Sequence, residues 1–235
     1  MDIWLKFGIL IVVSYLLGSI PLSYLAARAR GVDLRKQGTQ QVGGGNLWRT
    51  TSHKLGLFVG LFDFIKGALM VLIAWRLGQD AGQQLLIGLA AVIGHNWPVF
   101  LRFHGGRGIA TALGIIVILP FINWSDITVW PLVAFLCVAI GIVIFTHRTP
   151  VPILFGLLMP PIVSAIAKEP WPVTLGYAGL VLIIIIKRLI AQPSTEKRQI
   201  SLGYLLLNRL LFDRDVRYRG DWVHRKHIDK KGETL

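Results

Sequence analysis

Long apolar segments separated by short polar stretches run through residues 1–190 of the chain. Each segment approaches the roughly 20 residues that a helix needs to cross a bilayer core. The pattern predicts an all-α, polytopic membrane protein with seven transmembrane helices: Ile3–Ala27, Leu55–Leu77, Leu85–Phe103, Ile109–Ile122, Ile127–Thr146, Val151–Ala167 and Val173–Ile186. The fourth segment is short and ends at Pro120, and we expect Pro160 and Pro161 to interrupt the sixth.

The composition supports a membrane protein, since 54% of the residues are hydrophobic and 16% are charged. The first apolar segment is longer than the apolar region of a signal peptide and leads into no small-residue cleavage site, so we expect it to be retained. Cys137, the single cysteine, lies in an apolar segment and cannot form an intramolecular disulfide.

The charges favour one orientation in the membrane. Lys and Arg number 25 against 12 Asp and Glu, a surplus that would suggest nucleic-acid binding in a soluble protein. Here the basic residues gather in connectors 28–54, 102–108 and 147–149 and in the tail. The intervening connectors are neutral or acidic. The first carries Arg76 and Asp80, the second carries Asp126 alone, and the third carries Lys168 and Glu169. The positive-inside rule therefore predicts an external N-terminus, a cytoplasmic C-terminus and no nucleic-acid partner.

The chain divides into a seven-span domain, residues 1–190, and a basic cytoplasmic tail, residues 191–235. Apolar residues in the tail favour an amphipathic helix on the membrane surface; they are Leu205, Leu206, Leu207, Leu210, Leu211 and Phe212. The alternative is a partly disordered tail after Asp213. We interpret the H-x4-D spacing of His224 and Asp229 as chance.

Two glycine-rich loops lie on the predicted cytoplasmic side: GTQQVGGGNLWR (38–49) and FHGGRG (103–108). Glycines allow backbone N–H groups to converge on an anion, a nearby arginine adds charge, and each loop runs into an apparent helix start. Each loop could therefore hold one phosphate. The alternative is that glycines only permit turns and close helix packing, the role we assign to Gly56 and Gly60.

Other polar residues have less specific patterns. Asp63 and Lys66, three positions apart in the second span, are expected to form a structural ion pair. His95 and Asn96 end the third span and are equally suited to holding a neighbouring loop or to contacting a substrate. The sequence contains no nucleophile elbow and no metal-ligand spacing, so no metal or cofactor is expected.

At residues 94–114, GHNWPVFLRFHGGRGIATALG, the chain resembles the second motif of the bacterial integral-membrane acyl-phosphate:glycerol-3-phosphate acyltransferases, the PlsY type. That motif reads G-H-x-x-P-x-F-x-x-F-K-G-G-K-G-V-A-T, and His104 and Arg107 stand where lysines are usual. Further segments are similar to the first motif and its flanks: LGSIPLSYLAAR (17–28), VDLRKQG (32–38), GGGNLWR (43–49) and FDFIKG (62–67). The resemblance covers roughly residues 14–115.

The resemblance implies a multi-pass protein of the bacterial plasma membrane that transfers an acyl group from acyl phosphate to sn-glycerol 3-phosphate. Its partners would be these two substrates and membrane lipids; protein partners are not indicated. The predicted catalytic residues are Asn46, Arg49 and Arg107. The predicted phosphate-binding residues are Thr39, Gly43, Gly44, Gly45, His95, Asn96, Gly105, Gly106, Gly108 and Thr111.

The chain departs from the family pattern at two places. In the first motif, Gln40, Gln41 and Gly45 replace a glycine, an asparagine and a threonine. The third motif, R-H-R-x-N-I-x-R-L, reads VLIIIIKRL here, with Leu182 and Ile185 in place of histidine and asparagine. The eroded third motif favours the alternative of a non-catalytic paralogue that acts as a lipid-binding or complex-associated subunit. An anion transporter is a weaker alternative, because the polar groups gather on one side.

Overall fold

The computed structural model describes residues 2–146, 150–190 and 201–215. Arg148, the basic residue of connector 147–149, lies outside the described residues, as does the pair of His224 and Asp229. The described elements are helices: α1 (Ile3–Ser19), α2 (Leu22–Arg28), α3 (Gly44–Thr50), α4 (His53–Arg76), α5 (Ala81–Asn96), α6 (Ile109–Ile122), α7 (Trp130–Thr146), α8 (Pro150–Ile166), α9 (Trp171–Leu189) and α10 (Leu202–Phe212), with a 3-10 turn at Val99–Leu101 between α5 and α6. The all-α prediction is confirmed.

Each of the seven predicted apolar segments contains a helix. The fourth matches α6 in its bounds, Ile109–Ile122, but the expected end at Pro120 is wrong, because Pro120 lies inside the helix. The expected interruption of the sixth segment is wrong, because α8 continues through Pro160 and Pro161 to Ile166. Each proline removes one hydrogen bond to a carbonyl in the preceding turn. The close packing of α8 along α7 is compatible with this local loss.

The first predicted span is broken. Pro21 cannot donate a backbone hydrogen bond, and α1 ends at Ser19 while α2 begins at Leu22. Lys66 of α4 donates from Nζ to the carbonyls of Gly18 and Ile20, at 3.3 and 2.6 Å. The break therefore exposes carbonyls that a buried lysine satisfies.

Four helical segments of the described chain are long and apolar enough to cross a membrane: Ile3–Arg28, His53–Arg76, Ala81–Leu101 and Trp171–Leu189. Helices α6, α7 and α8 are shorter, with 14, 17 and 17 residues. At 1.5 Å per residue α6 is about 21 Å long, less than the ~30 Å of a bilayer core. The full count of seven spans stays a prediction.

Glycines bring two pairs of helices into close contact. Gly18 and Gly94 lie in the contact of α1 with α5, and Gly67 and Gly114 lie in the contact of α4 with α6. A Cβ atom at any of the four would overlap a backbone carbonyl of the facing helix. Small residues thus set the spacing of the bundle, as is common between membrane helices.

The helices divide the bundle into two ends. Ser14 of α1 lies beside Ile87 of α5, and Gly82 of α5 lies beside Pro172 of α9, so α1, α5 and α9 run in one direction. Helix α4 precedes α5 through a short turn and runs the other way. We call the end where α5 and α9 finish the site end. We call the opposite end, where α1, α5 and α9 begin, the tryptophan end.

Candidate active site

A cavity of about 630 Å³ lies at the site end of the bundle. Its walls come from the first glycine-rich loop and α3, the first turns of α4, the end of α5, the second glycine-rich loop with the start of α6, the start of α8, the end of α9 and the segment after α10. Chain regions that are distant in sequence therefore meet around one space.

Most of the predicted site residues line this cavity: Thr39, Gly43, Gly44, Gly45, Asn46, Arg49, His95, Gly106, Arg107 and Gly108. Asn96, Gly105 and Thr111 are not among its lining residues. Asn96 and Thr111 are fully buried, and Gly105 packs against the carbonyl of His95. The two predicted loops thus face one common space, with three of the predicted residues behind its wall.

Asn46 holds the first glycine-rich loop in shape. Its Nδ2 donates to the carbonyls of Leu34, Gln37 and Gln41 at 3.2, 3.0 and 3.1 Å, and its Oδ1 accepts from the N–H of Thr39 at 3.0 Å. The side chain is 3% exposed, so these bonds compensate the burial of the amide. The geometry gives Asn46 a positioning function within the loop.

The second glycine-rich loop is seated on the end of α5. The N–H of Gly106 donates to the carbonyl of His95 at 3.1 Å. A Cβ at Gly106 would overlap Nε2 of His95 and would lie 2.7 Å from the carbonyl of Val42 in the first loop. Gly108 has φ +70° and begins α6 against the side chain of Asn96. Glycine is required here for close approach and for the turn into α6.

Arg107 is fixed by three elements. Its Nε lies 2.8 Å from Oδ1 of Asp213, and its Nη1 donates to the carbonyl of Lys187 at 2.6 Å. When the side-chain amide of Gln41 is oriented with its oxygen towards the guanidinium, Oε1 of Gln41 accepts a hydrogen bond from Nη2 of Arg107 at 2.8 Å. A guanidinium has five N–H donors, so this arrangement leaves donors for an anion in the cavity.

The cavity wall is rich in arginine. Among the described residues that line it are four arginines, Arg49, Arg107, Arg188 and Arg214, and two aspartates, Asp63 and Asp213. Arg188 is 1% exposed; two of its nitrogens donate to carbonyls, and its buried Nε has no hydrogen-bond partner among the described residues. An excess of cationic donors in a partly enclosed space favours a phosphate ligand.

Asp63 of α4 links this helix to the end of α5 beside the cavity. Its Oδ1 lies 3.1 Å from Nζ of Lys66 and 3.5 Å from Nδ1 of His95. The expected ion pair of Asp63 with Lys66 is present, and Asp63 in addition lines the cavity and orients His95. Sequence spacing could identify the helical pair but not its third member, which lies on α5.

The first two glycines of α4, Gly56 and Gly60, differ in their surroundings. A Cβ at Gly56 would meet the backbone of Trp48, so its assignment to packing is confirmed. A Cβ at Gly60 would meet no atom within 4 Å and the residue lines the cavity, while its backbone lies close to Gly44 of α3. The absence of a side chain at Gly60 widens the cavity.

The two residues that replace histidine and asparagine of the third motif, Leu182 and Ile185, do not line the cavity. Leu182 is 57% exposed on the outer surface of α9, and Ile185 packs against the apolar core between α5 and α9. Instead Arg188, one turn further along α9, lines the cavity together with Asp213 and Arg214. Sequence analysis missed this tail contribution because no local pattern indicates that the tail folds back.

One ion pair lies outside the cavity, in the connector between α2 and α3. Arg35 Nη2 lies 2.9 Å from Oδ2 of Asp33. The side-chain hydrogen bond from Arg35 lowers the pKa of the Asp33 carboxyl, against the smaller effect of burial. This pair is a charged contact that does not border the cavity, so a substitution in it can serve as a control for substitutions in the site.

Comparison with known proteins agrees with this geometry. The family model of glycerol-3-phosphate acyltransferases matches residues 8–192. A glycerol-3-phosphate acyltransferase 4 of Dehalococcoides mccartyi (strain CBDB1) is 40% identical over 226 residues, 93% of this chain and 94% of that protein. A glycerol-3-phosphate acyltransferase of Geobacter sulfurreducens is 37% identical over 196 residues, 81% of this chain and 96% of that protein.

A solved structure is also similar. The crystal structure of PlsY (YgiH), an integral membrane glycerol 3-phosphate acyltransferase in its glycerol 3-phosphate form, matches with a TM-score of 0.71 and 29% identity, over 91% of this chain and 96% of that chain. The apolar helices and this likeness identify a multi-pass membrane protein. From the matched motifs, the length of the match and the shared fold, the chain belongs to the glycerol-3-phosphate acyltransferase family.

Proposed function

We propose that the protein transfers an acyl group from acyl phosphate to the 1-hydroxyl of sn-glycerol 3-phosphate, giving lysophosphatidic acid and inorganic phosphate. The observation that carries the proposal is the single cavity in which two glycine-rich loops and four arginines converge. Both substrates carry phosphate, and arginines outnumber carboxylates among the described residues that line this cavity. Family membership supports the same reaction.

The chemistry suits this set of side chains. The hydroxyl oxygen of glycerol 3-phosphate attacks the carbonyl carbon of acyl phosphate, a C–O ester bond forms, and the bond from that carbon to the phosphate oxygen breaks. The departing phosphate takes the hydroxyl proton, so no enzyme nucleophile is needed. The protein contributes positioning of both substrates and stabilisation of the charge that develops.

Arg107 and Arg49 are the proposed phosphate ligands of the two loops. Arg107 faces the cavity from the start of α6, where backbone N–H groups also favour an anion. Arg49 faces it from α3, beside Gly45. Asn46 holds the first loop in shape and thereby acts on the substrate indirectly. His95, oriented by Asp63, is placed to hydrogen-bond a substrate hydroxyl or phosphate.

The remaining predicted phosphate-binding residues fall into two groups in this proposal. The first group lines the cavity and offers backbone N–H groups or a hydroxyl: Thr39, Gly43, Gly44, Gly45, Gly106 and Gly108. The second group, Asn96, Gly105 and Thr111, lies behind the wall and supports the loop. Oγ1 of Thr39 is buried without a hydrogen-bond partner among the described residues, which leaves it available to a phosphate oxygen.

The acyl chain would enter from the membrane. One side of the cavity is apolar, with Leu57, Leu61 and Phe64 of α4 and Leu113 of α6. Leu57 and Leu61 are 66% and 55% exposed on the outer surface of the bundle. The cavity thus joins a lipid-facing surface to an arginine-lined end, as an acyl donor with a phosphate head requires.

For the membrane topology we propose seven spans, with the site end in the cytoplasm of a bacterial plasma membrane. The site end carries the basic connectors. The opposite end exposes tryptophans, the residues typical of a membrane–water interface: Trp4, Trp75, Trp124, Trp130 and Trp171. The exposed apolar residues of α10, Leu202, Leu206 and Leu207, would rest on the cytoplasmic membrane surface.

Cysteine labelling tests the topology. Lys36→Cys at the site end and Ser125→Cys at the tryptophan end, each in a Cys137→Ala background, place single exposed thiols in opposite connectors. A membrane-impermeant reagent added to intact cells should label position 125 only. Equal labelling of both positions before lysis would exclude the seven-span arrangement.

The function is tested with purified wild-type protein in lipid nanodiscs, acyl phosphate and glycerol 3-phosphate, with both products identified by mass spectrometry. We expect equal amounts of lysophosphatidic acid and phosphate. Acyl coenzyme A replaces acyl phosphate as the control donor and should give little product. A well-folded protein that gives no product with either donor would be the non-catalytic paralogue.

A further inference from the structure

The described tail reaches the cavity although it lies beyond the family match. The family model ends at residue 192, whereas Phe212, Asp213 and Arg214 line the cavity. We propose that α10 and the residues after it complete the active site, with Asp213 as a positioning residue that fixes Arg107. The inference rests on the proposed acyltransferase function and extends it to a segment that the family match does not include.

The end of α10 places the Asp213 carboxylate. Asp213 has φ +58°, a left-handed conformation in which the chain leaves the helix, and its N–H still donates to the carbonyl of Arg209. Aspartate tolerates this conformation better than most residues. After this turn Nδ2 of Asn208 donates to the carbonyl of Asp215, which folds the following residues back on α10.

Arginines anchor the tail to the bundle. Nη1 of Arg188 donates to the carbonyl of Leu210 at 2.8 Å, and its Nη2 donates to the carbonyl of Pro150 at 3.0 Å. Arg209 of α10 donates to the carbonyl of Leu189 at 2.9 Å and pairs with Asp215 at 2.6 Å. The position of α10 is thereby tied to the end of α9 and the start of α8, which both border the cavity.

The contact of Asp213 with Arg107 is suited to orienting a phosphate ligand. The carboxylate binds Nε, at 2.8 Å from Oδ1 and 3.1 Å from Oδ2, and the carbonyl of Lys187 accepts from Nη1. The side chains of Arg107 and Asp213 are 11% and 15% exposed, so the pair is well shielded from water. Donors on Nη1 and Nη2 remain for an anion, and their direction is set by the carboxylate.

The tail supplies polar groups where the third motif is missing. Leu182 and Ile185 bring none to the cavity, whereas Asp213 and Arg214 do. We infer that the tail takes over the positioning task that the altered stretch of α9 no longer performs. A truncation after residue 200 should therefore affect catalysis directly.

A double-mutant cycle tests the inference, with kcat and KM measured for both substrates. Asp213→Asn should lower kcat/KM about tenfold, because one charge-assisted contact to Arg107 is lost. In an Arg107→Ala background the same substitution should change kcat/KM less than about twofold, because the group on which it acts is gone. Asp213→Glu should recover part of the activity. Asp33→Asn, which breaks an ion pair outside the cavity, is the matched control and should match wild type.

The results of this experiment either support or contradict the proposal that Asp213 acts through Arg107. If wild type is active and Asp213→Asn equals it, or if the effect is the same with and without Arg107, Asp213 does not act through Arg107 and the inference is wrong. A loss that is equal in Asp213→Asn and Asp213→Glu, with a lowered melting temperature in both, would indicate a merely structural contact and would also overturn it. An inactive wild-type protein would instead refute the proposed function.

Discussion

At the tryptophan end of the bundle, buried polar side chains hydrogen-bond one another, whereas at the site end cationic side chains face a cavity. Gln84 and Asn123 exchange two hydrogen bonds, at 3.2 and 2.7 Å, and Oε1 of Glu169 accepts from both N and Oγ1 of Thr128. These contacts join helices and connectors. Such pairs stabilise the fold and offer little to a ligand.

The site end uses similar residue types in another way. Four arginines surround the cavity with two carboxylates beside them, and the buried Nε of Arg188 has no partner among the described residues. Among the described residues, buried atoms without partners also occur at the tryptophan end, at Gln79 and at Oε2 of Glu169, so the excess of arginine around a cavity is what distinguishes the site end. The two ends therefore differ in the balance of donors and acceptors around a space, more than in the residue types themselves.

The largest expected effect is at Arg107. Arg107→Ala removes a guanidinium whose hydrogen bonds to phosphate contribute about 1.5–3 kcal/mol each, so kcat/KM should fall by about one to two orders of magnitude. Arg107→Lys should retain part of the activity, because a point charge still binds phosphate. Steady-state kinetics with acyl phosphate and glycerol 3-phosphate measure both effects.

Arg76→Ala is the control at the other end of the bundle. Arg76 ends α4, and its guanidinium stacks on Trp75, 4.9 Å from the ring centre. We expect wild-type kinetics, since this charge is distant from the cavity. Equal losses in Arg107→Ala and Arg76→Ala would remove the distinction between the two ends.

A smaller effect is expected from a matched pair of glycines in the cavity wall. A Cβ at Gly106 would overlap His95, whereas a Cβ at Gly43 would meet no atom within 4 Å. Gly106→Ala should therefore displace His95 or the loop. We expect kcat/KM to fall about tenfold, since a displacement of about 1 Å in an active site can lower the rate by more than this factor. Gly43→Ala keeps the backbone N–H and should stay within about twofold of wild type. Similar kinetics of both variants would show that close packing at Gly106 is unimportant.

At the tryptophan end we expect an effect on stability only. Gln84→Ala removes both hydrogen bonds between Gln84 and the buried amide of Asn123, whose Oδ1 loses its partner while Nδ2 keeps the carbonyl of Leu119, and should lower the free energy of unfolding by about 1–3 kcal/mol. KM for both substrates should stay at the wild-type value in protein that remains folded. Thermal unfolding followed by circular dichroism, together with kinetics, measures the two quantities, and a raised KM would couple this end to the site.

The smallest effect is expected at the ion pair of Asp33 with Arg35. The lowered pKa of Asp33 means that its contribution to stability is present above the unfolded value of 3.8 and is lost as the pH falls through the folded pKa. Because the Arg35 side chain is 42% exposed, Asp33→Asn should cost under about 1 kcal/mol at neutral pH. The difference in melting temperature from wild type should vanish in acid; a constant difference would assign it to another cause.

Local pattern sufficed for the helices and for much of the cavity wall. Apolar length located a helix in every predicted segment, and the glycine-rich loops with Arg49 and Arg107 were found because each motif is continuous in sequence. Contacts between distant segments were not predictable. Asp213 reaches Arg107 across 106 positions, and the sequence does not show that Gly60 borders a cavity.

The most direct test of the central claim is chemical modification inside the cavity. Ala110 lines the cavity from the first turn of α6, and Ser125 lies in an exposed connector at the tryptophan end. Single cysteines at these positions, in a Cys137→Ala background, are modified with a negatively charged methanethiosulfonate while turnover is followed. We predict that modification of Ala110→Cys stops acyl transfer, that glycerol 3-phosphate slows this modification, and that modification of Ser125→Cys has no effect. Complete modification at position 110, verified by mass spectrometry, with turnover unchanged would contradict the assignment of the cavity as the active site.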